Sequence, residues 1–275
     1  MVFTIKLVSV IIPVYRSEHF IAKCINAILT QTYPNIEIIV IYDPSPDNTL
    51  NILEEFRDRI NLIVQSKKTN PAYARNMGLR ISKGEYIAFC DSDDFFKPKK
   101  LEKQIEFLEK NPNVAVSYTD FTIIDENGKV INEIKVPEWN RKKWMMSGFI
   151  TFSTVVIRRK VIKEIGGFNP YWDTSEDFDF LIRASSRFNF KRYPESLLKL
   201  TKHSKSLSTN IPKVKMNNNL ILRIYKIKPF FTFFKDQFYW KLSSIFYYNT
   251  LRDKLPEEKR KLSYIKRFIG FSTKY

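Results

Sequence analysis

Three carboxylates stand within four residues of the stretch FCDSDDFF, at Asp91, Asp93 and Asp94, directly after the apolar run EYIAFC. The chain that contains them has 275 residues and a formal net charge of +17. Ionised Asp side chains repel one another and are poor strand formers, so local propensity does not explain the cluster. An Asp-rich turn or helix cap is one interpretation, and a cation site is the other.

A nucleotide diphosphate is a ligand that would need a cation here. The chain has only seven glycines, and none falls in a G-x-G-x-x-G or G-x-x-x-x-G-K-[ST] phosphate loop. The charge of a bound diphosphate would then be met by a metal ion. Carboxylate oxygens suit Mg²⁺ or Mn²⁺, so the DSD element predicts one side of such a site.

A second acidic pair, Glu176 and Asp177, lies in WDTSEDFDFLIRASSRF at the start of a predicted helix. Ser175 is the predicted helix cap, and the apolar face is Phe178, Leu181, Ile182 and Phe188. The helix dipole stabilises carboxylates in a first turn by ~0.3–1 kcal/mol, which explains the pair without chemistry. It does not explain why a second acidic cluster, with Trp172 beside it, follows an acidic strand end.

The elements that would position these residues alternate through residues 1–120. Buried strands are predicted in KLVSVIIPVY, NIEIIVIYD, INLIVQS and GEYIAFCD, and helices in FIAKCINAILTQ, DNTLNILEEFRDRI and NPAYARNMGLRIS. This alternation predicts an α/β fold with a parallel sheet covered on both faces. Ligands of such sheets gather beyond the carboxyl ends of the strands, where Pro13, Tyr15, Asp43 and Asp91 fall.

The composition, 44% hydrophobic and 27% charged, is typical of a globular protein. Cys24 and Cys90 lie in apolar stretches and are predicted to be buried free thiols in a reducing compartment. The first apolar run is predicted to be a strand and not a signal peptide, because it lacks a basic start and a cleavage site. We therefore expect a cytoplasmic protein that is at most peripheral on the cytoplasmic face of a membrane.

The charge is concentrated after Pro212. Residues 213–275 carry 15 Lys and Arg against 4 Asp and Glu, together with 15 aromatic residues. We expect a core domain over residues 1–212 and a helical, basic and aromatic extension over residues 213–275. The extension could lie on an anionic membrane surface or pack its aromatics on the core. Binding of single-stranded nucleic acid is the least favoured of the three interpretations.

Three blocks together resemble the family 2 inverting glycosyltransferases of the GT-A fold. They are VSVIIPVYRSEHFIAKCINAILTQTYPNIEIIVIYD, ARNMGLRISKGEYIAFCDSDD and GGFNPYWDTSEDFDFLIRA, in the order and spacing of that family. The resemblance runs from about residue 6 to about residue 208. Its most specific part is the DSD element, which the Glu-Asp pair follows about 85 residues later.

The resemblance implies a nucleotide-diphosphate sugar as donor, most readily a UDP-sugar, which provides a hexosyl or N-acetylhexosaminyl group. The residues implied to contact it lie on the first strand, at the end of the second strand, at the A-R-N arginine and in the DSD element: Pro13, Tyr15, Asp43, Arg75, Asp91 and Ser92. The acceptor implied is a glycan or a lipid-linked hydroxyl compound.

The resemblance also implies different roles for the acidic residues. Asp93, with His203 of KHSKSLS, would hold Mn²⁺ or Mg²⁺, and Asp177 would be the general base of an inverting displacement. Trp172 and Glu176 would lie on the acceptor side.

The chain departs from the family pattern at the end of the second strand. YDPSPD stands where the family usually has D-D-G-S-x-D, so Tyr42 and Pro44 replace Asp and Gly. Proline fixes its own φ and has no N–H donor, which puts the identity of the base in doubt.

Two other functions fit parts of the sequence. A sugar-nucleotide pyrophosphorylase also uses an α/β sheet and acidic metal ligands, but the glycine-rich loop expected near its N-terminus is missing. A basic nucleic-acid-binding module would explain the charge and leave the DSD and Glu-Asp elements unexplained.

Overall fold

The computed structural model describes residues 5–203 and six later positions that are helical: Val214, Asn217, Asn218, Leu220, Ile221 and Tyr225. Apart from those positions, the helical, basic and aromatic extension predicted over residues 213–275 lies outside the described residues. Within the described part of the chain, no helix is both long enough and apolar enough to cross a bilayer.

Four strands form the parallel half of the sheet: β1 (Val8–Val14), β2 (Ile36–Tyr42), β3 (Asn61–Val64) and β4 (Tyr86–Phe89). They lie in the order β3-β2-β1-β4, and all three pairings are parallel. β1 and β2 are rich in Val and Ile and are almost fully buried, as a sheet covered on both faces requires. The predicted parallel sheet is thus confirmed for β1 to β4, from Val8 to Phe89.

Three helices connect these strands: α1 (Ile21–Leu29), α2 (Thr49–Glu54) and α3 (Pro71–Ile81). α3 begins with proline at its first position, and the side chain of Asn70 accepts a hydrogen bond from the Tyr73 N–H at 2.9 Å. Both features favour a helix start at this point. α3 carries Arg75 from there towards the end of β4.

The second helix is shorter than the sequence predicts. It ends at Glu54, and a 3₁₀ turn at Arg57–Arg59 replaces its last part. The Phe56 N–H donates to the Leu53 oxygen and the Arg59 N–H to the Phe56 oxygen, at 3.0 and 2.8 Å. This tighter winding brings the side chain of Phe56 into the core, where it is 5% exposed.

The second half of the chain completes a nine-stranded mixed sheet. Its elements are β5 (Phe95–Phe96), α4 (Lys100–Lys110), β6 (Val114–Ile124), β7 (Val130–Ile134), α5 (Arg141–Ser147), β8 (Val156–Arg158), α6 (Arg159–Ile165), α7 (Glu176–Ser185) and β9 (Asn189–Thr201). The order is β3-β2-β1-β4-β8-β6-β9-β5, with β7 paired to β6. β8 is antiparallel to both its neighbours, whereas β6 and β9 are parallel. The α/β fold class is confirmed.

One edge of this sheet collects the residues singled out by the sequence. β8 is antiparallel to β4 and to β6, so β6 runs in the same direction as β4. The ends of β1, β2, β4, β6 and β9 therefore lie towards one side of the sheet, which we call the carboxyl edge. Tyr15 and Asp43 directly follow β1 and β2 at this edge, and Asp91 lies two residues after the end of β4.

The two cysteines are free and buried, as predicted. Cys24 on α1 and Cys90 at the end of β4 have their Sγ atoms 3.7 Å apart. Burial raises the pKa of the Cys90 thiol well above its ordinary value, and the neighbouring Cys24 adds to the shift. The pair packs α1 against the strand that leads into the DSD element.

Described residues beyond the expected boundary at 212 contact the core. The Asn217 side-chain amide donates to the Thr174 carbonyl oxygen at 3.1 Å, and Ile221 is fully buried. The Tyr225 hydroxyl donates to Asp179 Oδ1 on α7 at 3.0 Å. The division at 212 stays a prediction, but a shortened chain has to keep the residues through 225 to retain these contacts.

Gly78 provides a test of the packing between α3 and β1. A Cβ at this position would lie 2.4 Å from Ile11 Cγ2. We expect Gly78→Ala to lower the free energy of unfolding by ~1–3 kcal/mol, because overpacking outweighs the ~1 kcal/mol gain in helix propensity. In an Ile11→Ala background the same substitution should be neutral or stabilising. Urea denaturation of the unmodified chain, the two single variants and the double variant measures this coupling, and an equal loss in both backgrounds would contradict it.

Candidate active site at the carboxyl edge

The three aspartates of the DSD element take three different partners. Asp91 accepts a hydrogen bond from Arg75 Nη2 at 2.7 Å. Asp93 contacts His203, and Asp94 accepts from the Thr201 backbone N–H at 3.2 Å. Each of the three acids therefore has a partner of its own.

Asp94 anchors the DSD turn to β9. Its side chain is buried, at 4% exposed. The Thr201 N–H donates to Asp94, and the Thr201 hydroxyl donates to the Asp93 carbonyl oxygen. These two hydrogen bonds join the turn to the end of β9. Burial raises the pKa of Asp94 well above its ordinary value, and the charges of Asp93 and Asp91 add to the shift. Sequence reasoning missed this role, because Thr201 lies 107 residues away along the chain.

Asp93 and His203, the predicted metal ligands, lie side by side. His203 Nε2 is 2.7 Å from Asp93 Oδ2, and the Phe20 ring stacks on the imidazole with centroids 5.1 Å apart. Burial and the charge of Asp91 raise the pKa of Asp93, while the hydrogen bond and charge of His203 act in the opposite direction. α1, β4 and the segment after β9 together position this pair.

Arg75 joins the two acidic motifs. Its Nη2 donates to Asp91, and its Nη1 donates to Glu176 Oε1 in the first turn of α7. The guanidinium is 5% exposed and lies over the rings of Phe152 and Phe168, 5.3 and 5.6 Å from their centroids. Burial lowers the pKa of Arg75, but the charges of Asp91 and Glu176 more than offset this and raise it. Arg75 therefore stays charged.

Glu176 and Trp172, the residues predicted to lie on the acceptor side, are both buried. The Glu176 side chain is 7% exposed and paired with Arg75, and Trp172 is 2% exposed. Burial raises the pKa of Glu176 to about 7, against the effect of the Arg75 charge. Glu176 shares a helix face with Phe180, which is fully buried, so its side chain points into the protein.

Asp177 is less constrained than its neighbour. It is half-buried, and its Oδ1 accepts a hydrogen bond from the Phe178 N–H at 2.7 Å. This bond takes the place of the predicted cap, because Ser175 has a left-handed φ of 70° and makes no side-chain cap bond. Burial raises the pKa of Asp177, Arg75 opposes the shift, and Asp91 adds to it. A carboxylate with a raised pKa is a stronger base than an ordinary one.

Asp43, at the end of β2, is held by the loop before α3. Its Oδ2 accepts from the Thr69 N–H at 2.6 Å, and the Thr69 hydroxyl donates to the same carboxylate at 2.9 Å. Burial raises the pKa of Asp43, and the Thr69 bonds and the Lys68 charge act against it. Lys68 lies 3.8 Å from the centroid of the Tyr15 ring. Nothing in the sequence pointed to this lysine.

The remaining predicted donor contacts lie at the same edge. Pro13 and Tyr15 are half-buried at the end of β1. Ser92 is half-buried, and its carbonyl oxygen accepts from the Ser17 hydroxyl at 3.2 Å. In the unusual YDPSPD loop, the Tyr42 hydroxyl accepts from the Ser45 N–H at 2.9 Å and so holds the turn.

The metal-ligand atoms of Asp93 and His203 fit a metal site that a bound substrate completes. Among the described residues, no group of three or more His, Cys, Asp or Glu side chains is placed to hold a metal ion. Asp93 and His203 supply two adjacent ligand atoms. Mg²⁺-type sites often use one or two protein carboxylates and complete their coordination with substrate phosphates and water. The pair therefore fits a site completed by a diphosphate.

The glycosyl transferase family 2 profile matches residues 9–166. An uncharacterised glycosyltransferase of Haemophilus influenzae is 31% identical over 249 residues, covering 88% of this chain and 93% of the relative. The Escherichia coli UDP-Glc:alpha-D-GlcNAc-diphosphoundecaprenol beta-1,3-glucosyltransferase WfgD is 38% identical over 157 residues, which is 57% of this chain and 62% of the relative.

Solved structures share the fold. S. aureus TarS 1-349 in complex with UDP-GlcNAc aligns with a TM-score of 0.68 and 22% identity, over 90% of this chain and 73% of TarS. Mannosyltransferase PcManGT from Pyrobaculum calidifontis, in complex with GDP-Man and Mn²⁺, aligns with a TM-score of 0.64 and 15% identity. That alignment covers 82% of this chain and 65% of PcManGT. At these identities, the likeness describes the fold alone.

The Arg75 bridge yields a stability prediction. We expect Arg75→Gln to lower the free energy of unfolding by ~3–5 kcal/mol, because it leaves Glu176 buried without a counter-charge. Arg75→Gln/Glu176→Gln should recover most of this loss. The control is Arg57→Gln, which breaks an exposed pair with Glu54 and should cost far less, because solvent screens an exposed pair. Urea denaturation followed by circular dichroism gives the values, and equal losses for the two single arginine variants would contradict the prediction.

Proposed function

Since the chain belongs to glycosyl transferase family 2, and is therefore a glycosyltransferase of the GT-A fold, we propose that it moves a hexosyl group from a UDP-sugar to a hydroxyl of a lipid-linked acceptor. The relatives support this choice of substrates. WfgD is named for a UDP-Glc donor and a diphosphoundecaprenol-linked acceptor, and the TarS structure contains UDP-GlcNAc. The chain covers 62% of WfgD, so both substrates are part of the proposal.

The observation that carries the proposal is the Arg75 bridge. It connects Asp91, in the DSD element, with Glu176, 101 residues away from Arg75 along the chain. Asp177 is next to Glu176, and Asp93 is two residues from Asp91, so the bridge brings both predicted functional acids to one edge. A transferase needs this arrangement, because donor and attacking hydroxyl have to meet at one carbon atom.

The donor would bind along the ends of β1, β2 and β4. Pro13, Tyr15 and Asp43 would contact the nucleoside, and Asp91 and Ser92 the ribose and diphosphate side. Arg75 would act mainly by holding Asp91 in position, because its guanidinium is already bound to two carboxylates. The carboxylate of Asp43 is preoriented by Thr69, which leaves less side-chain freedom to be lost on binding.

Asp93 and His203 would hold the divalent cation. When bound, such a cation offsets negative charge on a departing diphosphate, which makes a protonated leaving group unnecessary. The imidazole nitrogen favours Mn²⁺ over Mg²⁺, since transition metals bind nitrogen ligands better. The Phe20 ring stacked on His203 would fix the orientation of the imidazole.

Asp177 would act as the general base of a single displacement. Its carboxylate takes the proton of the acceptor hydroxyl while the hydroxyl oxygen forms a bond to the anomeric carbon. The bond between that carbon and the diphosphate oxygen breaks, and its electron pair leaves with the nucleotide. Attack from the face opposite the leaving group inverts the anomeric centre. The raised pKa of Asp177 supports this role, because it strengthens the base.

The proposal is tested with the full-length chain, UDP-glucose and a GlcNAc-diphosphate-lipid acceptor in the presence of Mn²⁺. Formation of a disaccharide-lipid with a β linkage is the expected result, detected by mass spectrometry and NMR. A product that retains the donor's α configuration would overturn the inverting mechanism. Failure of a panel of UDP-sugars to yield any product with lipid-linked acceptors would overturn the choice of substrates.

Asp177→Asn should lower the transfer rate by at least ~10²-fold and leave donor affinity nearly unchanged, because the amide cannot accept the proton. In the unmodified enzyme, kcat should fall as the pH drops through the raised pKa of Asp177, since the protonated carboxyl is inactive. The control is Asp173→Asn, which alters an exposed acid four residues away. If Asp173→Asn loses activity and Asp177→Asn keeps it, the base is Asp173.

Asp93→Asn should abolish the Mn²⁺-dependent part of UDP binding, measured by calorimetry with Mn²⁺ and with EDTA. His203→Ala should weaken it less, because a neutral ligand contributes less charge. Asp58→Asn, which alters an exposed acid, serves as the control. An unmodified protein that binds UDP equally well in EDTA would contradict the assignment of a metal to this pair.

A further inference from the structure

A groove of about 290 Å³ lies at the carboxyl edge, beyond the DSD turn. Its floor is apolar and consists of Phe95, Phe96 and Pro98 from the segment after that turn, with Ile124 from the end of β6. None of the residues that line it was singled out for donor binding or for catalysis. The groove is therefore separate from the candidate active site, although Phe95 follows Asp94 directly in the chain.

Three lysines line the groove: Lys23 on α1, Lys97 and Lys199. Lys23 and Lys199 are exposed, and Lys97 is half-buried. Lys97 Nζ donates to the Thr122 and Ser196 hydroxyls at 3.1 and 3.0 Å, and these neutral partners leave its charge uncompensated. Within the described residues, none of the three lysines forms a salt bridge, and Glu126 is the one acid in the lining. The groove thus carries a net positive charge over an apolar floor.

The hairpin of β6 and β7 continues the apolar surface outward. Val130, opposite Ile124 in the strand register, is 56% exposed, and Ile131 is 54% exposed. The turn between the strands is well defined, because Asp125 Oδ1 accepts hydrogen bonds from the backbone N–H groups of residues 127 and 129 at 3.0 and 2.8 Å. The two exposed apolar side chains therefore lie on the same well-defined hairpin that contributes Ile124, Glu126 and Gly128 to the lining of the groove.

We propose that the groove and this hairpin tip bind the headgroup region of an anionic membrane. Lipid phosphates would contact Lys23, Lys97 and Lys199, and Val130 and Ile131 would enter the boundary between headgroups and acyl chains. A soluble phosphate ion would make no use of the apolar floor or of the two exposed aliphatic side chains. An amphiphilic anion matches all three features.

Membrane binding at the groove would bring the membrane to the same edge of the sheet as the candidate active site. The groove lies at the same edge of the sheet as Asp43, Asp91 and Asp93, so a membrane bound there would lie on the side where the candidate active site opens. Membrane binding is measured without any sugar transfer, so it can fail or succeed independently of the proposed function.

The test uses the full-length chain in vesicle flotation at low salt. Vesicles of phosphatidylcholine with about 30% phosphatidylglycerol should bind the protein, and pure phosphatidylcholine vesicles should bind it far less. Lys23→Gln/Lys97→Gln/Lys199→Gln should weaken binding at least about tenfold, since each basic residue near the surface contributes to the attraction. Val130→Ser/Ile131→Ser should remove the part of the binding that persists when added salt screens the charges.

A matched control has the same net charge as the groove variant. Lys83→Gln/Lys110→Gln/Lys163→Gln changes three exposed lysines at the opposite edge of the sheet and should bind within about twofold of the unmodified chain. Both triple variants should keep the thermal midpoint and the UDP affinity of the unmodified chain, which shows that they fold.

Four outcomes would overturn the proposal. They are no binding of the unmodified chain to anionic vesicles, equal losses in the two triple variants, unchanged binding of the groove variant, and release from vesicles by inorganic phosphate but not by chloride at matched ionic strength. The second would show a general charge effect, and the third would place membrane binding elsewhere in the chain. The fourth would assign the groove to a soluble anion.

Discussion

Arg75 donates to Asp91 and Glu176 from the second turn of α3, and this bridge fixes the distance between the end of β4 and the start of α7. The flat fork of a guanidinium suits this task, because it can serve two carboxylates in different directions while remaining charged. The charge of Arg75 also affects the pKa of Asp177, which follows Glu176 in the chain. Asp177 is close enough for the Arg75 charge to moderate the effect of burial on its pKa, so burial, Arg75 and Asp91 jointly set its strength as a base.

The three acids of the DSD element have separate roles, because each has a different partner. Asp91 faces the arginine, Asp93 faces His203, and Asp94 is buried against the end of β9. Only Asp93 is left with a ligand-type partner at the edge of the sheet. Asp94 anchors the DSD turn to β9. It has no direct chemical role, but it helps to orient Asp91 and Asp93.

The sequence predicted what local patterns determine. Apolar runs and helical periodicity located the first four strands and three helices, and Asn70 with Pro71 marks the start of α3. Contacts between distant segments were not readable: nothing near Asp94 points to Thr201, and nothing near Tyr15 points to Lys68. The burial of Glu176 could not be predicted from the sequence, because its neighbours at i+3 and i+7, Asp179 and Arg183, are charged residues that are themselves buried.

The long pairing of β6 with β9 has a consequence for how the protein is made. β9 aligns with β6 over Val114 to Ile124, and the end of β9 leads to His203. The βαβ units of the first half consist of contacts between near neighbours and can form early, whereas this pairing closes a loop of more than 70 residues, which is slow. A nascent chain that has emerged from the ribosome only as far as the DSD turn already contains Arg75, the partner of Asp91. It does not yet contain His203 and Thr201, the partners of Asp93 and Asp94. Assembly of the site is therefore a late folding event.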